Sequence, residues 1–379
     1  MFALGWVSLC TDLASEMIVP LLPVFLAGIG GTGRDLGLLQ GASDLVVSLL
    51  KAASGWISDR QQKRKPWILF GYGISAVLRP LFALIGTPWQ AVAVRVGDRV
   101  GKGLRSAPRD ALLADVVAAQ DRGAAYGVQR SMDHAGALGG ALIAFALLLA
   151  GVGERTIFAL AAIPGALALL VLWFGLREPE RPIAPPSHAG SANGDLRALG
   201  PFLVVVVLSG ATASVDLFLL KRALELGYAT PYLPLMWAWL HLIRAGLAAP
   251  LGALSDRVGR RRVMACGLFV QFVVLIAFGL LTLGSAWAVW PLLAVHGLHA
   301  GFTEGAERGY VADLTGAGRR GTVFGVYHAV HGVAAFAGPV AMGMLWDASG
   351  PLIAFHVIAG LSALALGVLL WLVPSSRGR

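Results

Sequence analysis

Apolar segments of about twenty residues recur along the whole 379-residue chain, and they constrain its fold more than any other feature. A helix needs about 20 mainly apolar residues to cross a hydrocarbon core about 30 Å thick. Examples are "WILFGYGISAVLRPLFALIG", "FLVVVVLSGATASVDLFLL" and "VMACGLFVQFVVLIAFGLLTLG". The segments lack the alternation of a membrane β-barrel, so their backbone must be satisfied within helices. The sequence therefore predicts an all-α integral membrane protein with about twelve transmembrane spans.

The distribution of basic residues predicts the orientation of these spans. The formal net charge of +9 would suggest a nucleic-acid partner in a soluble protein. Here the basic clusters follow spans 2 and 8, precede span 11 and lie between spans 6 and 7, whereas the turns near Gly86 and Gly284 carry none. This is the bias of cytoplasmic loops. We therefore expect a multi-pass protein of the cell inner membrane, with both termini cytoplasmic and no nucleic-acid partner.

A polar segment and an internal repeat divide the chain. The segment "REPERPIAPPSHAGSANGDLR" predicts a cytoplasmic linker at residues 177–197, between six-helix bundles at residues 1–176 and 198–379. Similar motifs recur in the same order, with Asp59 and Asp256 separated by 197 positions and Asp115 and Asp313 by 198. A parallel duplication of this kind predicts two pseudo-symmetric halves related by an axis along the membrane normal.

The repeated motif also carries a family resemblance. "GWISDRQQKRKP" and "GALSDRVGRRRV" resemble the conserved loop of the major facilitator superfamily (MFS), and "TDLASEMIVPLLP" is similar to helix 1 of its bacterial drug and siderophore members. The resemblance implies the MFS fold, transport by alternating access, and a loop aspartate that caps a helix on the cytoplasmic side. With the other charges near the inner surface, it predicts a cytoplasmic gate of Asp59, Arg60, Arg105, Arg109, Asp110, Asp115, Asp256, Arg257, Glu304, Glu307, Arg308 and Asp313.

A second group of ionisable residues is predicted near the middle of the spans. Each costs at least about 2.5 kcal/mol near the bilayer centre, so each should face a cavity or a partner. The group consists of Asp12, Glu16, Asp44, Asp98, Arg130, Asp133, His134, His241, His296, His299, His328 and His331. We predict that these residues line an aqueous pathway and bind substrate and protons, with Glu16, Asp98 and Asp133 as the leading proton carriers.

Two functions remain open at this point. One is proton-coupled export of a small organic solute, such as a drug, metabolite or siderophore, by a monomer that contacts membrane lipid and needs no cofactor. The other is transport of a transition metal or its chelate, with imidazoles from His296, His299, His328 and His331 as ligands. An enzyme is not predicted, because the sequence contains no HExxH, GxSxG or lysine-containing phosphate-loop motif.

Overall fold

The computed structural model describes residues 2–59, 64–116, 122–175, 193–315 and 320–374. These residues form fourteen α-helices joined by turns and short 3-10 segments, and they contain no β-strand. The helices are α1 (Phe2–Glu16), α2 (Leu22–Gly28), α3 (Gly33–Asp59), α4 (Lys65–Leu78), α5 (Pro88–Val116), α6 (Arg122–Leu149), α7 (Glu154–Leu160), α8 (Ala162–Gly175), α9 (Asn193–Ala213), α10 (Asp216–Glu225), α11 (Tyr232–Val258), α12 (Arg260–Leu280), α13 (Val289–Asp313) and α14 (Arg320–Leu372).

The helices of the described residues provide the twelve predicted spans. Eight helical stretches are long and apolar enough to cross a membrane. Helices α5, α11 and α13, with 29, 27 and 25 residues, are also long enough but are more polar. Helix α14 holds two spans, because Gly350 (φ 80°, ψ 173°) breaks it and Pro351 follows. The prediction of an all-α membrane protein is confirmed.

Large apolar side chains are exposed on the outer faces of the spans. Phe70, Trp173 and Trp371 are 60%, 64% and 90% exposed. Such exposure is costly in water but is expected of side chains that face lipid, and it fits the predicted membrane environment.

The chain divides into two compact units. Unit 1 consists of Met1–Asp35, Ala42–Ala184 and Tyr228–Ala238, and unit 2 consists of Leu36–Gly41, Pro185–Gly227 and Trp239–Arg379. The main division therefore lies inside the predicted linker, residues 177–197. Helix α9 begins at Asn193, so residues 193–197 of that predicted linker are helical.

The internal duplication is visible in how each unit packs its helices. In unit 1, a Cβ atom at Gly140 on α6 would collide with the carbonyl oxygen of Leu13 on α1. In unit 2, a Cβ atom at Gly338 on α14 would collide with the carbonyl oxygen of Ala211 on α9. Both the glycines and their partners are separated by 198 positions, the spacing of the sequence repeat. Small residues thus allow the same close helix crossing in both units.

Candidate functional site

Two of the twelve spans are interrupted at matching places in the two halves of the chain. In the first span, α1 ends at Glu16 and the 3-10 segment Val19–Leu21 precedes α2. In the seventh span, α9 ends at Ala213 and α10 begins at Asp216. Interrupted membrane helices at corresponding positions of a duplicated chain indicate a substrate or ion site. An acidic residue lies at each interruption, and the candidate site is built outward from both.

Asp216 is the centre of a polar cluster in unit 2. Arg244 on α11 donates two hydrogen bonds to its carboxylate, from Nη1 to Oδ2 at 2.8 Å and from Nη2 to Oδ1 at 2.9 Å. His296 on α13 donates from Nε2 to the same Oδ1 at 2.8 Å and is fully buried. A bidentate arginine–carboxylate pair is among the strongest ion pairs in proteins. The cluster therefore holds together a carboxylate, a guanidinium and an imidazole from three spans.

Asp216 and Arg244 are absent from the sites predicted from sequence. Asp216 lies within "FLVVVVLSGATASVDLFLL", where the length and apolarity of the segment identify a membrane span. It is the single charged residue in that segment and directly follows a run of small residues, which is the signal that could have found it. A lone carboxylate at such a position requires a partner, because leaving it unpaired in the membrane is costly.

Glu307, predicted in the cytoplasmic gate, lies in the interior of unit 2 and is 8% exposed. Its Oε2 accepts a hydrogen bond from the Tyr327 hydroxyl at 2.9 Å, and its Oε1 accepts one from Ser209 Oγ at 3.4 Å. The ring of His331 stacks on Tyr327 at a centroid distance of 6.1 Å. Among the described residues, no lysine or arginine forms an ion pair with Glu307. Glu307 is thus a buried acid held by hydroxyl groups.

Asp98 on α5, a predicted proton carrier, is fully buried in unit 1 and surrounded by arginines. Its carboxylate lies 3.0 Å from Arg79 Nε, 3.2 Å from Arg99 Nη2 and 3.5 Å from Arg95 Nη1. Arg79 also donates from Nη1 to the carbonyl oxygen of Thr11 on α1 at 2.7 Å. The carboxylate is therefore already engaged in ion pairs, and these join α5 to the first and third spans.

Arg109 forms a second polar cluster in unit 1. It lies 3.0 Å from Asp110 Oδ1 and 3.8 Å from Asp133 Oδ1, and it donates to Ser8 Oγ at 2.9 Å. With its amide oxygen turned toward the guanidinium, Gln129 accepts from Arg109 Nε at 2.7 Å. Asp133, also predicted as a proton carrier, thus contributes to a cluster that joins α1, α5 and α6.

The clusters around Arg109 and Glu307 are equivalent in the duplication but opposite in charge. Three pairs of positions, each separated by 198, supply their central residues: Arg109 and Glu307, Gln129 and Tyr327, and Asp133 and His331. In unit 1 the central group is a cation with an acidic neighbour, whereas in unit 2 it is an acid with an imidazole nearby. Equivalent positions of the two halves therefore form clusters whose central groups carry opposite charge.

The remaining predicted site residues of the N-terminal half are spread over several helices. Glu16 Oε2 accepts a hydrogen bond from Trp237 Nε1 at 2.7 Å, within unit 1. Asp12, Asp44, and His134 are half-buried. Arg130 belongs to α6, but its side chain lies outside the described residues.

The four histidines proposed as metal ligands have other partners. His296 binds Asp216, and the buried His299 donates from Nδ1 to the carbonyl oxygen of Gly267 at 3.0 Å. The other predicted site histidines of this half, His241, His328 and His331, are half-buried. In the part of the chain that the structure describes, no group of three or more His, Cys, Asp or Glu side chains is placed to hold a metal ion. The metal-transport alternative therefore gains no support from the described histidines.

The second copy of the loop motif forms an ion-pair network within unit 2. Arg260 Nη1 lies 2.8 Å from Asp256 Oδ1, and its Nε donates to Asp313 Oδ2 at 3.0 Å. The two aspartate side chains are 62% and 44% exposed, so each pair contributes only about 0–1 kcal/mol. Glu304 and Arg308 form a longer, exposed contact at 3.9 Å.

The other predicted gate residues have different environments. Arg105 is 4% exposed, donates to Ser75 Oγ at 2.6 Å and lies over the ring of Tyr72 at 4.3 Å, so it belongs to the interior of unit 1. Arg257 is exposed at the end of α11. Arg60 and the side chains of Asp59 and Asp115 lie outside the described residues.

Curated relatives and solved structures resemble the chain over most of its length. An uncharacterized MFS-type transporter of Methanocaldococcus jannaschii is 28% identical over 364 residues, which covers 92% of this chain and 88% of the relative. Multidrug resistance protein MdtG of Dickeya zeae is 26% identical over 343 residues, covering 86% and 78%. A crystal structure of a mutant of the nucleoside transporter NupG has a TM-score of 0.83 at 13% identity, covering 97% of this chain and 98% of that chain.

The last similarity concerns the fold alone, because its sequence identity is low. The model of the Major Facilitator Superfamily matches residues 4–247 and 225–379. These matches agree with the spans and the duplication described above. The chain therefore belongs to the Major Facilitator Superfamily and is a multi-pass membrane transporter of a small-molecule substrate.

Proposed function

We propose that this transporter is a secondary active, proton-coupled exporter in which Glu307 carries the proton. The observation that supports this is the environment of Glu307: a buried carboxyl that accepts hydrogen bonds from Tyr327 and Ser209. Burying an ionised carboxylate without a paired cation costs free energy, and a proton removes that charge. Glu307 can therefore change its protonation state without dismantling an ion pair, whereas Asp98 and Asp133 are engaged with guanidinium groups.

The cluster at Asp216 is the second polar group in this proposal. Its Asp216 carboxylate accepts hydrogen bonds from Arg244 and from His296. The cluster lies at the interruption of the seventh span, where a transporter binds substrate or coupling ions. We propose that each interruption provides a position for substrate within its own unit, and that Glu307 links binding in unit 2 to proton release.

Export, orientation and cellular location belong to the same proposal. MdtG is named a multidrug resistance protein, which favours an organic drug or metabolite as cargo and outward movement. The basic clusters support our proposal that the loops after spans 2 and 8 lie on the cytoplasmic side of the inner membrane, together with both termini. Each unit carries its own polar cluster, so we propose that a monomer surrounded by lipid is sufficient for transport.

Proteoliposomes with an imposed pH gradient test the coupling. The probes are fluorescein, an anionic dye, and ethidium, a cationic dye, and the readout is gradient-driven movement of each dye. We expect the wild-type protein to move one of them, and Glu307→Gln to lose movement against a dye gradient while keeping downhill exchange. Asp347→Asn, which removes an exposed acid on a different helix, α14, is the control and should keep wild-type behaviour. Wild-type coupling in Glu307→Gln would contradict the proposal.

A further inference from the structure

We infer that the arginines of α5 in unit 1 bind a carboxylate group of the transported solute. The starting observation is an excess of buried positive charge: Arg79, Arg95 and Arg99 all face the single carboxylate of Asp98. Glu16 lies within electrostatic range of Arg95, but even with this acid the group keeps an excess positive charge. A buried charge needs a partner, and here the described side chains supply too few anions.

Arg95 is the least satisfied member of this group. Its side chain is 7% exposed, its one ion contact is the 3.5 Å approach to Asp98, and its Nε has no hydrogen-bond partner among the described residues. A guanidinium carries five N–H donors in a planar fork. A guanidinium buried to this degree with its Nε donor unused is poorly explained by packing alone, and it indicates a ligand.

Arg99 completes a two-arginine site with Arg95. Positions four apart on a helix lie on one face, so both guanidiniums extend from the same side of α5. Arg99 donates from Nη2 to Ser15 Oγ at 3.3 Å, and its Nε also has no hydrogen-bond partner among the described residues. Ser15 precedes Glu16 at the interruption of the first span, which places this site at the candidate substrate position of unit 1.

The chemistry of the site selects a planar oxyanion. Two guanidinium forks match the two oxygens of a carboxylate and offer charge-assisted hydrogen bonds. Trp237, whose indole binds Glu16, adds an aromatic surface beside the site within unit 1. The inferred cargo is therefore an organic acid with an apolar or aromatic body.

Thermal unfolding of the purified full-length protein tests this inference. The probes are benzoate and salicylate, each compared with its neutral amide, and inorganic phosphate, all at constant ionic strength. A ligand that binds only the folded protein raises the unfolding temperature. We expect the carboxylates to raise it and the amides to have no effect. Arg95→Gln and Arg99→Gln should each weaken the apparent affinity by about 10- to 100-fold, whereas Arg34→Gln, which removes an exposed arginine, should not change it.

The outcomes separate the inference from the proposed function on which it rests. Arg95→Lys keeps the positive charge but loses the planar fork of donors, so it should bind the carboxylates with intermediate affinity. This variant replaces Arg95→Gln in the test if Arg95→Gln fails to fold. Equal stabilisation of wild type and Arg95→Lys, a response to phosphate alone, or no response to any carboxylate would overturn the inference. Wild-type proton coupling of Glu307→Gln in the proteoliposome assay, with carboxylate binding intact, would instead count against the role of Glu307 and leave the inference standing.

Discussion

Asp216 and Arg244 depend on each other, because each supplies the counter-charge that the other needs inside a span. Removing one partner of a fully buried ion pair costs about 3–5 kcal/mol. Their side chains remain 17% and 20% exposed, so we expect Asp216→Asn to lower the free energy of unfolding by an amount near the lower end of that range. Unfolding in detergent measures the change. Glu304→Gln, which removes an exposed acid, should change stability by less than about 0.5 kcal/mol.

A double-mutant cycle distinguishes lost pairing from general damage. Asp216→Asn combined with Arg244→Gln removes both charges, so the double variant should be more stable than the sum of the two single effects predicts. Strictly additive losses would show that the 2.8 Å and 2.9 Å contacts do not stabilise the fold through pairing.

Single positions also show how far the sequence could predict the site. Asp98 and His296 are separated by 198 positions, and both were predicted at membrane depth; both are fully buried. The depth of a residue in the membrane follows from its distance along a helix, which can be counted in the sequence. The partner does not, because it depends on which helix packs against which face: Asp98 meets three arginines, and His296 meets an aspartate on another span.

At the scale of whole helices, apolar length and the repeat were sufficient to predict the spans and their duplication. They were insufficient to predict which charged side chains of α13 are buried. Glu307 and Arg308 are adjacent and both were predicted in the gate, yet Glu307 is 8% exposed and the Arg308 side chain is 59% exposed. Adjacent residues point about 100° apart on a helix, so the tertiary packing decides which charge is buried, and Glu307 is the one that meets Ser209 on α9 and Tyr327 on α14.

Helix crossings provide a prediction that belongs to elements rather than to single contacts. Gly140→Ala and Gly338→Ala would each force a Cβ atom onto a backbone carbonyl of the partner helix. We expect each to lower the free energy of unfolding by about 1–3 kcal/mol, the usual cost of overpacking. Gly367→Ala, on α14 with no atom within 4 Å of the new Cβ, is the matched control. Alanine favours a helix over glycine, so this control should be neutral or slightly stabilising. Equal effects at all three positions would contradict the close crossings.

The orientation of the whole molecule follows from charge and can be tested on one helix. Helix α12 has 21 residues and spans about 30 Å, so its two ends should lie on opposite sides of the membrane. Arg262 lies in the basic cluster near its beginning, and Gly284 lies in the 3-10 segment Leu283–Ala288 after its end, which carries no lysine or arginine. The bias of basic residues therefore predicts that Arg262 is cytoplasmic and Gly284 is external.

Thiol labelling in intact cells checks this orientation. The two native cysteines, Cys10 and Cys266, are free and would first be replaced by serine. In that background, Gly284→Cys should react with a membrane-impermeant maleimide in intact cells, because its position is exposed and no neighbouring atom lies within 4 Å of a new Cβ. Arg262→Cys, also at an exposed position, should react only after the membrane is permeabilised. The reverse pattern would place both termini outside and would contradict the cytoplasmic location of the loop motif. Labelling of both introduced cysteines in intact cells would show that α12 does not cross the membrane.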